Sequence, residues 1–270
     1  MNLPAPPPSG RWRDLARRSA SAAILAPAAL LCLWLGGPAW LALAGLATLG
    51  LAWEWARMFR LPAYAAATMT AGVAVVVALL LRGAAAPQMV GAWFSLVVIH
   101  MLWFRRRAAT LGMLVIAPPA VALAGLRLGP EGFYNILFLL LIVWSSDIGA
   151  YLVGRLVGGP RLALSISPGK TWSGAAGGLI AAALVGYAGA SLLAPPAGLH
   201  ALALALLLGI VAQLGDLAES ALKRHCGVKD SGHLIPGHGG VFDRLDGLLA
   251  AATAMGVLAV ATGQAGVLWR

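Results

Sequence analysis

Residues 213–246 read QLGDLAESALKRHCGVKDSGHLIPGHGGVFDRLD, and the reading of the whole chain turns on them. The protein carries nine acidic side chains in 270 residues, and five stand here: Asp216, Glu219, Asp230, Asp243 and Asp246. Lys223, Arg224, Lys229, Arg244, His225, His233 and His238 accompany them. If the helix from the preceding apolar run continues to about His225, then Asp216, Glu219, Ser220 and Lys223 fall at i, i+3, i+4 and i+7 and share a face. Asp243 and Asp246 share a face at the start of the next helix, where the dipole favours carboxylates. Residues 227–240 hold five glycines and a proline, too many for regular structure. Such a loop can offer backbone N–H groups to phosphates while carboxylates take a hard cation such as Mg²⁺. A plain solvated loop with ordinary helix caps needs neither that register nor those glycines.

Outward from this stretch the chain is greasy. Hydrophobic residues make up 60% of it and charged residues 10%, against about a quarter in a soluble domain. Mean hydropathy is +0.86. The expectation is an all-α polytopic integral membrane protein of about nine transmembrane helices. The spans are placed at 20–35, 38–55, 63–81, 89–104, 111–126, 132–153, 175–193, 199–214 and 248–267. Residues 1–19 are a proline-rich and then basic tail, expected to be disordered and cytoplasmic, and 20–270 form one catalytic membrane domain. The basic start resembles a signal peptide, but more spans follow and no clear cleavage site appears.

Orientation follows from charge. With the N-terminus cytoplasmic, sixteen of the nineteen Lys and Arg residues fall on the inner side and only Arg82, Arg127 and Arg270 outside. The net charge of +10 is then a membrane signature, and no nucleic-acid partner is expected. The same alternation places a second polar block, within 144–178, on the side of the 213–246 block. The two blocks can therefore meet.

That second block reads WSSDIGAYLVGRLVGGPRLALSISPGKTWSGAAGG from Trp144. Asp147 lies inside a span, where an ionisable group is expensive. It is either functional or a helix partner, for instance of Arg155. Arg155, Arg161, Lys170 and several hydroxyls suit phosphate oxygens. Gly169-Lys170-Thr171 is not a P-loop, because position 164 is Leu and no soluble strand precedes it. CxxC, HExxH and GxSxG are absent, and Cys32 and Cys226 suggest no disulfide framework. Four weaker expectations are structural. His100 and His200 sit at the interface, and Trp34, Trp40, Trp53, Trp55, Trp93 and Trp103 form an aromatic belt. Glu54 pairs with Arg57. Gly174 and Gly178 allow close helix packing within or between subunits.

Ser220, Lys223-Arg224, Lys229-Asp230, His238-Gly239-Gly240 and Asp243-Arg244-Leu245-Asp246 resemble the C-terminal signature of the phosphatidate cytidylyltransferases, also called CDP-diacylglycerol synthases. Asp147, Gly149-Ala150-Tyr151, Gly154-Arg155, Ser167-Pro168, Lys170-Thr171-Trp172 and Gly174 resemble a second region of that family. Ile148 stands where the family has Thr, and Ser173 where it has Glu. The resemblance implies transfer of the cytidylyl group of CTP to phosphatidic acid, releasing pyrophosphate, in phospholipid biosynthesis. It also implies a bacterial inner (cell) membrane, with the site facing the cytoplasm.

The roles expected on this basis are as follows. Asp216 and Asp243 hold Mg²⁺, with Glu219 and Asp246 in support, and a second cation is left open. Lys223, Arg224, Lys229 and Arg244 bind phosphates, while Lys170 and Arg155 clamp from the other block. Ser220, His238, Gly239 and Gly240 contact phosphate as well. A homodimer is left open. Two rivals share the residue types: a CTP-dependent polyprenol or phytol kinase, and an anion transporter.

Overall fold

The computed structural model describes residues 24–81, 86–104, 107–193, 195, 198–232, 234, 239–263 and 266–269. The expectation for the 1–19 tail lies outside them. Among the described residues the helices are α1 (Ile24–Leu35), α2 (Gly37–Met58), α3 (Ala63–Leu81), α4 (Ala86–Phe104), α5 (Arg107–Leu128), α6 (Gly132–Leu156), α7 (Trp172–Leu193), α8 (Leu199–His225) and α9 (Phe242–Thr262). Six of these, α2 and α5 to α9, are long and apolar enough to cross a membrane. Shorter apolar helical stretches occur at Ile24–Leu35, Ala63–Val75 and Trp93–Leu102. The protein is a multi-pass helical membrane protein. Leu184 (67%), Leu192 (84%) and Val257 (62%) stand exposed on its outside, a surface that only lipid makes comfortable.

α5 continues through Pro118 and Pro119, which a membrane helix tolerates when its neighbours satisfy the freed backbone. α9 stops at Thr262, short of the expected 267, because Gly263 takes a left-handed cap (φ 60°). The chain then folds back on α6. Asn135 Nδ2 donates to the Gly266 carbonyl (3.1 Å) and its Oδ1 accepts from Leu268 N–H (3.1 Å). Trp269 stacks on Phe138 with ring centroids 4.3 Å apart.

Not all of the described chain is helical. The loop after α6 holds an antiparallel hairpin, β1 (Arg161–Ala163) and β2 (Ser167–Thr171), pairing Arg161 with Thr171 and Ala163 with Ser167. Its Pro168 and Gly169 hide it from any propensity argument, yet proline is compatible with a short edge strand. Thr171 Oγ1 accepts from Gly174 N–H (3.1 Å), which caps α7. Ser173, the departure from the family pattern, donates to the Gly158 carbonyl and closes the loop. Ile148, the other departure, is 59% exposed.

Two apolar cores share α9. One gathers Phe138, Leu139 and Ile142 of α6, Leu208 of α8, and Ala251 and Met255 of α9. The other gathers Trp55 of α2, Met69 of α3, Met113 and Ile116 of α5, and Phe242 and Leu249 of α9. α6 and α7 pack closely against each other through glycine. A Cβ at Gly149 would stand 2.6 Å from Ala181 Cβ, and one at Gly178 would stand 2.7 Å from the Ser146 carbonyl. The small-residue stripe of α7 therefore packs within the subunit.

Three expectations change. Trp40 and Trp55 are 4% and 0% exposed and not in a belt; their indole N–H groups donate to Leu123 O (3.0 Å) and Ala108 O (2.8 Å). A buried indole needs such a partner. His100 is also buried (3%), set between Thr68 and Thr110 hydroxyls at 3.2 Å each, and so joins α3, α4 and α5. Glu54 is buried too, and accepts from Val241 and Phe242 N–H groups at the start of α9.

Candidate active site

The polar residues converge where the C-terminal halves of α6 and α8 meet the N-terminal starts of α7 and α9. α8 runs unbroken to His225, so Asp216, Glu219 and Lys223 do share one face. α9 opens at Phe242 and brings Asp243 and Asp246 against it. Glycine beside two of the acids permits the approach. A Cβ at Gly215 would stand 3.0 Å from the Asp246 carbonyl, and one at Gly247 would stand 3.2 Å from the Ala212 carbonyl.

Ligand oxygens of Asp216, Glu219 and Asp246 lie within 4.8 Å of one another. Three carboxylates at that distance repel unless cations intervene. Two lysines do so. Lys170 Nζ of β2 is 2.6 Å from Asp216 Oδ2, which ties the two sequence blocks together directly. Lys223 Nζ lies between Glu219 Oε2 (2.7 Å) and Asp243 Oδ1 (2.6 Å).

Asp216, Asp243, Asp246, Lys170 and Lys223 border a cavity of about 750 Å³, and Glu219 is not among its lining residues. Asp147, Tyr151, Arg155, Arg161, Lys170, Gln213, Asp216, Lys223, Asp230, Asp243, Arg244 and Asp246 are among its lining residues. Five basic and five acidic side chains line it, so on formal charges alone the lining offers no surplus positive charge to a polyanion. A divalent cation on the oxygen-only group of Asp216, Glu219 and Asp246 would supply that charge. The three groups offer oxygen donors only, the donor chemistry that a hard divalent cation such as Mg²⁺ takes.

The structure gives several expected residues other surroundings. Asp243 lies outside the three-carboxylate group, because both its oxygens are engaged: Oδ1 by Lys223, and Oδ2 by Ser231 N–H (3.0 Å), Ser231 Oγ (3.1 Å) and Gly240 N–H (2.9 Å). The Gly240 N–H is thus engaged by the Asp243 carboxylate. Gly239 holds φ +83°, a turn conformation that only glycine adopts freely. Arg224 reaches backwards, donating to the Ile166 carbonyl (3.2 Å) and docking α8 on the hairpin. Arg155 donates to the Tyr151 hydroxyl (2.8 Å), not to Asp147. Ser220, Arg224 and Lys229 are not among the described residues lining the cavity, and His238 lies outside the described residues.

Two residues escape a sequence reading. Gln213 donates to Ser146 Oγ (3.2 Å) and the Ala175 carbonyl (3.1 Å), holding α6, α7 and α8 together at the cavity wall. A lone amide at the end of an apolar run was the available signal. Glu54 does not pair with Arg57, whose guanidinium lies over Trp53 at 6.0 Å. It is 1% exposed, and it faces the loop before α9.

Fold and cavity together define a class: a multi-pass helical membrane protein with a cavity lined by basic and acidic side chains. Residues 16–261 match the model of the Cytidylyltransferase family, and the chain belongs to that family. A Pseudomonas aeruginosa protein named phosphatidate cytidylyltransferase is 37% identical over 277 residues, covering 92% of this chain and 98% of its own. Brucella suis has a protein of the same name that is 61% identical over 123 residues, 46% of each chain. One from Staphylococcus aureus is 41% identical over 140 residues, 48% of this chain and 50% of its own. The matches thus span about half the length of the Brucella and Staphylococcus relatives and nearly all of the Pseudomonas one.

Proposed function

We propose that this protein transfers the cytidylyl group of CTP to phosphatidic acid, giving CDP-diacylglycerol and pyrophosphate. The observation that carries the reading is the Lys170–Asp216 contact, which joins both signature blocks across one cavity. A lipid phosphate oxygen attacks the α-phosphorus of CTP; a P–O bond forms there and the bond to the β-phosphate's bridging oxygen breaks. The nucleophile needs no strong base, since a phosphomonoester's second pKa is about 6. Arg155, Arg161 and Arg244 bind phosphates, and catalysis is chiefly positioning and charge stabilisation. Asp216, Glu219 and Asp246 would hold Mg²⁺, whose positive charge offsets that of the leaving pyrophosphate. Asp243 instead holds Lys223 and the loop in place. Purified protein given CTP, Mg²⁺ and phosphatidic acid in detergent should release pyrophosphate. Release of CDP would indicate a lipid kinase, and release of neither would indicate a transporter.

Residues 20–270 act as one catalytic domain of nine spans in a bacterial inner membrane, with the N-terminus and the cavity cytoplasmic. The charge bias supports this orientation. Single cysteines placed in the 155–173 loop and near position 231 should both label from the cytoplasmic side. Labelling of the two from opposite faces would break the site.

Lys170→Ala is expected to lower kcat/KM ten- to a thousandfold, or about 1.4–4 kcal/mol. Because its ammonium touches Asp216, the Mg²⁺ concentration for half-maximal rate should shift as well. Lys170→Arg should recover only part, a planar fork being a poor substitute for a compact charge. Near-wild-type kinetics with Lys170→Ala would reduce the second block to scaffold.

A further inference from the structure

Glu54 sits in α2, far in sequence from either signature block, and its carboxylate is wholly occupied by the loop before α9. Oε1 accepts from Val241 N–H (2.8 Å). Oε2 accepts from Phe242 N–H (2.9 Å) and from Ser231 Oγ (2.9 Å). The reason lies in the sequence of α9. Its N-cap is Val241, which offers no side-chain cap, so the first-turn N–H groups need acceptors from elsewhere. Glu54 supplies them, with a negative charge at the positive end of the helix dipole.

The loop is shaped to receive it. A Cβ at Gly232 would stand 2.6 Å from Glu54 Oε1, and one at Gly240 would run into Ser231 Oγ and Glu54 Oε2. Two glycines of the loop are therefore needed to seat this carboxylate. From Glu54 the contacts continue inward. The Ser231 hydroxyl has one proton and two carboxylate neighbours, Glu54 Oε2 and Asp243 Oδ2 (3.1 Å). Asp243 holds Lys223, and Lys223 holds Glu219 of the three-carboxylate group.

We propose that Glu54 is a positioning residue for the reaction. By fixing the first turn of α9 and, through Ser231 and Asp243, the ammonium of Lys223, it holds Asp246 at the cavity in register with Glu219. It touches no substrate. This inference rests on the cytidylyl-transfer reading, and it assigns to an apolar helix outside both signature blocks a direct part in the site's geometry.

The test is kinetic, on full-length protein in detergent well below its melting temperature. Glu54→Gln keeps the size but turns an NH₂ towards backbone donors. It should lower kcat about ten- to a hundredfold, leave KM for CTP within about twofold, and raise the Mg²⁺ concentration for half-maximal rate. Ser231→Ala keeps both backbone bonds to Glu54 and should lower kcat about three- to tenfold. The double variant should be no slower than Glu54→Gln alone, because both act along one chain of contacts. A kcat within twofold of wild type for folded Glu54→Gln, or strictly multiplicative effects in the double variant, would overturn the proposal. If Glu54→Gln does not fold, Ser231→Ala decides, and an unchanged kcat there overturns it. A wild-type protein that forms no CDP-diacylglycerol would instead defeat the functional reading, a result distinct from active wild type with indifferent variants.

Discussion

Asp216→Asn is expected to lower kcat by about a thousandfold or more, equal to about 4 kcal/mol of transition-state stabilisation. Asp216 is the point at which the three-carboxylate group and the hairpin's lysine meet, within 4.8 Å of Glu219 and Asp246 oxygens and 2.6 Å from Lys170. The substitution preserves shape and removes one negative charge from a crowded set, so the fold should persist. A second readout separates metal loss from other damage. Mg²⁺ at a hundred times its Kd stabilises a folded protein by about 2.7 kcal/mol, visible as a higher melting temperature. Wild type should show that rise and Asp216→Asn should not. Asp246→Asn should behave alike. Normal turnover in either variant would remove that residue from the metal group.

Lys223→Met should produce the largest loss of stability. Lys223 is 13% exposed and neutralises two carboxylates that are 3% and 6% exposed, Glu219 and Asp243. Deleting one member of a buried ionic cluster strands the others and costs about 3–5 kcal/mol. For a chain of this size that is about 6–20 °C in apparent Tm. The measurement is a thermal melt in detergent with chelator present, so that no divalent ion substitutes for the ammonium. Lys223→Met combined with Glu219→Gln should recover part of the loss, because one stranded charge is gone. A melt of Lys223→Met within about 2 °C of wild type would mean that the carboxylates find other partners.

The helical register of 213–246 was legible because α8 is long and its polar face is uninterrupted: four spaced residues suffice to say that Asp216, Glu219 and Lys223 share a side. That the two polar blocks meet followed from alternating spans and a one-sided charge bias. Which carboxylates would cluster did not follow. Asp243 and Asp246 both open α9, and only packing decides that Asp246 turns towards Asp216 while Asp243 is taken by Lys223 and the Ser231 and Gly240 N–H groups. The role of Glu54 was hidden for a related reason. Flanked by two tryptophans and three residues from Arg57, it has a local explanation that is sufficient on its own, whereas its partners lie more than 170 residues away. Trp40, Trp55 and His100 were hidden likewise: their hydrogen-bond partners are on other helices. The hairpin was obscured by Pro168 and Gly169, which argue for a loop at any local level.

The most direct test of the account follows the phosphates of CTP. Purified protein is supplied with phosphatidic acid, Mg²⁺ and CTP labelled either at the α- or at the γ-phosphate, and the lipid is extracted. Attack at the α-phosphorus carries the α-label into the lipid and sends the γ-label out as pyrophosphate, and the account predicts that result. A lipid product carrying the γ-label, with CDP left in solution, would contradict it.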